Sequence, residues 1–210
     1  MAARIITIAQ QKGGAGKTTL AAQLAVVWAG QGHRLALLDI DPQASLAAWA
    51  ELRRARLGEV GLGFEFAALS GWRAAEWIER HARDVDFVVV DSPPHAELEA
   101  RIAVRAAGLV LVPLQPSPLD LWSTGTTLRL AREESRGVLA VLNRVPARSS
   151  LIETVVADLA RDGVAVAETR LGSRVAFAQA MAQGRGVSET APSGRAAAEI
   201  AALAAEIAQV

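Results

Sequence analysis

The chain has 210 residues, 51% of them hydrophobic, and 22 Lys and Arg against 22 Asp and Glu for a net charge of zero. It is therefore neither disordered nor a generically basic nucleic-acid binder. With no cysteine, it excludes disulfides, thiolate metal centres, iron–sulfur clusters and a cysteine nucleophile, and it fits a reducing cytosol. Only Lys12 and Lys17 among the 22 cations are lysines. Arginine fills every other cationic position, so these two places in one glycine-rich loop ask for an ammonium group.

Short β-branched runs alternate with longer helical stretches, the pattern of a parallel sheet with crossover helices. The length fits one α/β domain over residues 1–210 with about seven strands, mostly parallel. Arg4–Ala9 reads as a first strand and Thr18–Gln31 as a helix closing at Gly32. Arg34–Leu38 is a second strand, followed by Asp39-Ile40-Asp41-Pro42 and by Ser45 as the N-cap of a helix reaching about Leu57. A weaker strand near Phe64–Ala67 precedes a helix from Trp72 to about Ala82. The almost fully apolar Asp86–Val90 is a central strand buried on both faces. Gly108–Pro113 and Gly137–Leu142 repeat that character, with a helix near Asp120–Ser135 between them. The tail carries helices near Leu151–Arg161, Arg174–Gln183 and Ser193–Gln209, the last rich in alanine. Flexible points are expected at Gly58–Gly63, Pro146–Ser150 and Gly184–Pro192. The N-terminus lacks the form of a signal peptide, and no strand-like run approaches the roughly 18 apolar residues that span a bilayer. A soluble cytoplasmic protein is expected.

Residues 10–19, QQKGGAGKTT, lie between a strand and a helix. Such a loop lays successive backbone N–H groups around phosphate oxygens at a helix N-terminus. Gly13, Gly14 and Gly16 permit close approach, Ala15 sits among them, Lys17 reaches the β- and γ-phosphates, and Thr18 ligates Mg²⁺, with Thr19 beside it. Gln11 stands where the usual phosphate loop has glycine, and Lys12 is an addition. Asp39 and Asp41, at i and i+2, share one face beyond the sheet's C-terminal edge. One carboxylate there can serve the metal shell and the other the attacking water; a plain Asp-Pro turn is the alternative. Val90-Asp91-Ser92-Pro93-Pro94 ends an apolar strand in a carboxylate placed for Mg²⁺, usually through water.

At Lys12-Gly13-Gly14-Ala15-Gly16-Lys17-Thr18 the sequence resembles the deviant Walker A ATPases, the ParA/MinD family, whose motif is KGGxGK[ST]. The resemblance runs from Arg4 to about Glu206. It implies ATP as nucleotide with Mg²⁺, an ATP-dependent homodimer, and Lys12 acting in trans on the partner's nucleotide. It makes Asp41 the water-positioning residue, which leaves Asp39 for the metal shell with Thr18 and Asp91, and puts Asn143, Pro113 and Gln115 near base and ribose. Ser92 stands where the family usually has threonine and keeps the hydroxyl.

No DNA-reading segment precedes Arg4, which suits the short partition type. In such proteins basic tail residues hold the nucleoid nonspecifically, which makes Arg174 and Arg170, then Arg185 and Arg195, the candidates here. Scattered ion-paired arginines are the plain alternative. The resemblance further implies a stimulatory adaptor or ParB-like centromere-binding partner. It also implies nucleoid association and a cargo of plasmid or chromosome DNA or a large protein assembly. The final AAAEIAALAAEIAQV has no cation and reads as a packing helix, not a membrane anchor. A regulatory or MinD-like member without DNA binding is the second hypothesis, and a small-molecule ligase or kinase the third. Trp28, Trp49, Trp72 and Trp77 read as core or partner-surface anchors, and Trp122 as an interface candidate. His33, His81 and His95 have no metal-ligand spacing.

Overall fold

In the computed structural model, which describes residues 3–94 and 97–210, one seven-stranded sheet has the order β3-β2-β4-β1-β5-β6-β7. Every pairing in it is parallel. The strands are β1 (Arg4–Ile8), β2 (Leu35–Asp39), β3 (Glu65–Ala68), β4 (Phe87–Asp91), β5 (Leu109–Leu114), β6 (Gly137–Leu142) and β7 (Ala165–Val166). The connecting helices are α1 (Lys17–Gly30), α2 (Ser45–Leu62), α3 (Trp72–His81), α4 (Glu97–Ala106), α5 (Pro118–Glu133) and α6 (Ile152–Arg161). The tail forms α7 (Val175–Met181), α8 (Val187–Thr190) and α9 (Arg195–Ile207). The expected α/β architecture is the one that forms.

Strand alternation divides the core. Leu35, Leu37, Phe87 and Val89 point to the side where Leu24, Trp28, Ile200 and Leu203 of α1 and α9 pack. Ala36, Leu38, Val88 and Val90 point to the other side, against Ala74 and Ile78 of α3 and Ala103 of α4. All residues of β2 and β4 are buried, as their unbroken apolar runs require of strands covered on both faces. Trp28 stacks on Phe87 with ring centroids 4.3 Å apart. The alanine-rich α9 buries Ala196, Ala197, Ile200, Leu203, Ala204 and Ile207 and is the packing helix expected.

Several local expectations change. Ser45 does not cap α2; the cap position is Ala44, with no side-chain cap bond and a left-handed φ of 52°. The Asp39 carboxylate supplies the cap instead, accepting the Ala47 N–H at 2.9 Å. Gly58–Gly63 is not a free loop, because α2 continues through it with one kink at Gly58 (φ 74°, ψ 175°). Residues 184–192 hold α8, and α4 and the two-residue β7 occupy stretches where no element was expected.

Arg53 explains two of these changes. Its side chain, 5% exposed, donates to the carbonyls of Leu62 and Gly184, both at 3.1 Å. It also forms a two-pronged pair with Glu189 at 2.7 and 2.9 Å. One guanidinium thus pins both segments. Gly184, at φ +66°, lies so close to α2 that a Cβ would stand 2.7 Å from the backbone nitrogen of Arg53.

Candidate phosphate-binding site

Sheet register assembles the site. Ile8 and Asp39 both pair with Asp91, so β1, β2 and β4 end level with one another. The strand order reverses at β1, which opens a crevice beyond that edge. The loop leaving β1 enters it and turns into α1. Gly14 and Gly16 adopt φ of 76° and 96°, a region that favours glycine. A Cβ on Gly16 would also run into Nδ2 of Asn143. The first turn of α1 has no acidic residue and no side-chain cap, so the positive end of the helix dipole stays available to an anion.

Lys17 and Thr18 open that helix. Burial lowers the Lys17 pKa, opposed by the charges of Asp91 and Asp41. The Thr18 hydroxyl donates to Oδ2 of Asp91 at 2.6 Å, while Oδ1 of Asp91 is buried without a partner. Burial pushes the Asp91 carboxyl up to about 7, with the Thr18 bond pulling the other way and Asp39 adding to the rise. A hydroxyl, a carboxylate with an unpartnered oxygen and an ammonium therefore converge at an uncapped helix start. Among the described residues no group of three or more His, Asp or Glu side chains stands ready to hold a metal by itself. The Thr18 hydroxyl beside the Asp91 carboxylate matches a magnesium-type arrangement of one or two side-chain oxygens completed by phosphates and water.

Asp39 and Asp41 share the same edge, and their bonds differ. Asp39 uses Oδ1 for the Asp41 N–H at 2.9 Å and Oδ2 for Ala47; burial raises its pKa. Both its oxygens thus already close the turn and cap α2. Asp41 is half-buried and accepts the Gln43 N–H through Oδ1 at 3.0 Å. Ser92 donates its hydroxyl to the Ile8 carbonyl at 2.9 Å, tying the segment after β4 to β1. His95 lies outside the described residues.

Lys12 reaches across its own chain to Asp120, with Nζ 2.5 Å from Oδ2. Asp120 was not singled out from the sequence, yet it is the hub of this corner. It also accepts from the Ser117 hydroxyl at 2.6 Å and the Gln115 N–H at 3.2 Å. Burial raises its pKa, and the bonds from Lys12, Ser117 and Gln115 outweigh that and hold it below the ordinary carboxylate value. Gln10 completes the corner, its amide donating to Thr124 at 3.1 Å. Ser-Pro-Leu-Asp at 117–120 is a helix-start signal: Ser117 caps α5 with Pro at its first turn. The element was therefore detectable, though its partner Lys12 was not.

Asn143, directly after β6, donates Nδ2 to the Ala15 carbonyl at 2.9 Å and so latches the glycine loop. Beside it a cleft of ≈ 140 Å³ is lined by Gly16, Thr19, Asn143, Arg144, Arg174 and Phe177, among others. Pro113 and Gln115 stand on the Lys12 side and are not among that cleft's lining residues. The four tail arginines are scattered in role. Arg174 lines the cleft and grips Glu199, its Nε 2.9 Å from Oε2. Arg170 pairs with Glu153 at 3.1 Å. Among the described residues Arg185 and Arg195 form no salt bridge.

Residues 6–187 match the family described as the CobQ/CobB/MinD/ParA nucleotide binding domain. The chain is 31% identical over 182 residues to Protein ParA of Rhizobium radiobacter, covering 82% of this chain and 80% of that protein. It is 29% identical over 202 residues to the maintenance of carboxysome distribution protein A of Halothiobacillus neapolitanus, covering 92% and 91%. Among solved structures it superposes on the cell division ATPase MinD of Pyrococcus furiosus with a TM-score of 0.80 at 22% identity, covering 98% of each chain. An ATP complex of a Cyanothece McdA variant gives 0.78 at 17% identity, covering 99% and 97%. These two structural likenesses speak to the fold.

Proposed function

The chain belongs to the CobQ/CobB/MinD/ParA nucleotide-binding family, and we propose that it is an ATP-driven dimerising switch that partitions or positions a cargo. The observation that carries this reading is the convergence of Lys17, Thr18 and Asp91 at the uncapped start of α1, with Lys12 stationed at the rim. The backbone N–H groups of the glycine loop bind the phosphates. Lys17 holds the β- and γ-phosphates, and Asp41 orients the attacking water. Lys12 leaves Asp120 to meet the nucleotide of a second subunit, so hydrolysis requires the dimer. Thr18 and Asp91 fit a magnesium ion, the unpartnered Oδ1 being the free ligand atom; such an ion neutralises charge on the transferring phosphoryl group. Asp39 contributes by shaping the turn that carries Asp41. Asn143 holds the loop and borders the cleft suited to the base.

Lys17→Ala is expected to weaken binding of a fluorescent ATP analogue by tenfold or more, the scale of a lost charge-assisted hydrogen bond, about 1.5–3 kcal/mol. Lys12→Ala is expected to bind the analogue normally and to lose both ATP-dependent dimerisation and turnover. A Lys12→Ala protein that hydrolyses ATP at the wild-type rate would return the chemistry to a single subunit and favour a small-molecule ligase or kinase.

In this reading the ATP dimer grips DNA nonspecifically, a stimulatory or ParB-like partner triggers hydrolysis, and the cargo is DNA or a protein assembly. A second reading, a regulatory member without DNA binding, draws support from the engagement of Arg170 and Arg174 by Glu153 and Glu199. Retention of DNA across a salt series separates the two. A DNA carrier shows ATP-dependent retention that salt weakens and that Arg185→Glu with Arg195→Glu reduces further. A regulator retains none.

A further inference from the structure

Arg174, expected from the sequence to hold DNA, is engaged within its own chain. Its Nε lies 3.0 and 2.9 Å from the two carboxylate oxygens of Glu199 on α9, and Nη2 binds the same carboxylate. Glu199 also accepts the Gly172 N–H at 3.1 Å, so one carboxylate fixes both the guanidinium and the backbone beside it. Burial raises the Glu199 pKa, and the bonds from Arg174 and Gly172 outweigh that and hold it below the ordinary carboxylate value. Gly172 shows how the guanidinium lies. A Cβ there would stand 3.0 Å from Nη2 and 3.1 Å from Cζ and Nε. A point almost equally far from those three atoms lies over the guanidinium plane, not at its edge. The φ of Gly172 is not positive, so the flat packing of Arg174, and not the backbone, asks for glycine here.

The same side chain lines the cleft that Gly16, Thr19, Asn143 and Phe177 border. Asn143 already has both ends of its amide engaged, Nδ2 by the Ala15 carbonyl and Oδ1 by the Arg144 N–H, each at 2.9 Å. Arg174 has more left to offer. Its side chain is 31% exposed, and among the described residues its Nη1 has no hydrogen bond. We propose that Arg174 contacts the nucleotide base in this cleft through its planar guanidinium, and that Glu199 is the positioning residue that holds it there. The inference rests on the reading of the site as an ATP site and names the groups that meet the base. A guanidinium stacks on aromatic faces as an ammonium cannot. Pinned beforehand by a carboxylate, it also has little freedom to lose when a ring arrives. The same pairing argues against a DNA contact, because Glu199 takes two of the three guanidinium nitrogens. The wall facing the base then rests on α9, which packs directly on the phosphate-binding helix α1.

The test titrates ATP and inorganic triphosphate, which has no base, each with Mg²⁺, into wild type, Arg174→Ala, Arg174→Lys and Glu199→Gln by calorimetry. Thermal midpoints are measured on the same samples. Arg174→Ala is expected to bind ATP about tenfold more weakly and to bind triphosphate within about twofold of wild type. Arg174→Lys keeps the charge and a partner for Glu199 but has no planar face, and it should lose ATP affinity comparably. Glu199→Gln, which loosens the guanidinium without removing it, should lose about threefold for ATP and leave triphosphate unchanged. If both Arg174 variants bind ATP as wild type does, or lose ATP and triphosphate affinity in equal measure, the base contact is overturned. Loss of DNA retention in Arg174→Ala with ATP affinity intact returns the residue to DNA and overturns it as well. A wild-type protein that binds neither probe overturns the reading of the site as an ATP site, and this inference with it.

Discussion

Replacing Arg53 with alanine is expected to cost about 3–5 kcal/mol of folding stability, the scale of removing one partner from a buried ion pair. The side chain makes four hydrogen bonds, to Leu62, to Gly184 and two to Glu189. Its guanidinium also lies 5.8 Å from the ring centroids of both Trp49 and Phe64. Two carbonyls would lose a buried donor, at roughly 1–3 kcal/mol each where water cannot reach. Glu189 would keep the Gly186 N–H at 2.8 Å, which places the loss toward the lower end. Urea titration followed by tryptophan fluorescence measures it. The pair also predicts a pH response. Burial raises the Glu189 pKa, and the Arg53 bond and the Gly186 N–H outweigh that and set it below 4.5. Its contribution is therefore present above the unfolded-state value and fades as the pH falls through the folded one. An Arg53→Met/Glu189→Leu double variant should lose less than Arg53→Ala, since it strands no charge. A loss below about 1 kcal/mol for Arg53→Ala, the level of an exposed pair, would refute the view that this residue ties α2 to the tail.

Gly16→Ala forces a side chain into the left-handed region and against the Asn143 amide. It should abolish nucleotide binding, read by a fluorescent analogue, while circular dichroism stays native. Asp91→Asn should stop ATP turnover and flatten the pH dependence of stability. The Asp91 carboxyl keeps its proton to about 7 in the fold against 3.8 unfolded, so the native state binds the extra proton between those values and loses stability as pH rises through them. At 1.36 kcal/mol per pH unit the loss is at most about 4 kcal/mol. Denaturation midpoints between pH 5 and 8, free of nucleotide, that move equally in wild type and Asp91→Asn would contradict the assignment.

What could be read from the sequence was whatever depends on neighbours along the chain. The runs Phe87–Asp91 and Gly137–Leu142 declare buried strands by apolar continuity, and KGGAGKT between a strand and a helix declares a phosphate loop. What depends on partners far along the chain stayed hidden. Asp39 caps α2 from eight residues away, and that displaced Ser45 from a role local pattern gave it. Lys12 finds Asp120 across 108 residues, and Arg53 finds Glu189 across 136. Nothing in the residues around Arg53 marks it as buried, and the glycines at 58, 61, 63, 184 and 186 look like slack until that guanidinium is seen between them. The helix at 97–106 was missed although its apolar and charged residues are segregated at helical spacing.

The burial of α1 on nearly every side has a mechanical consequence. Leu20 through Trp28 are all buried between the sheet and α9, so the helix that receives the phosphates is a fixed anvil. A phosphate arriving there meets donors already in place and has little ordering to bring about. Whatever displacement the nucleotide produces must then be absorbed outside that helix, and the turn from Asp41 to the left-handed Ala44, exposed at Pro42 and Gln43, is the adjoining stretch with room to move. Timing in this molecule is assigned to its rim, and its centre keeps still.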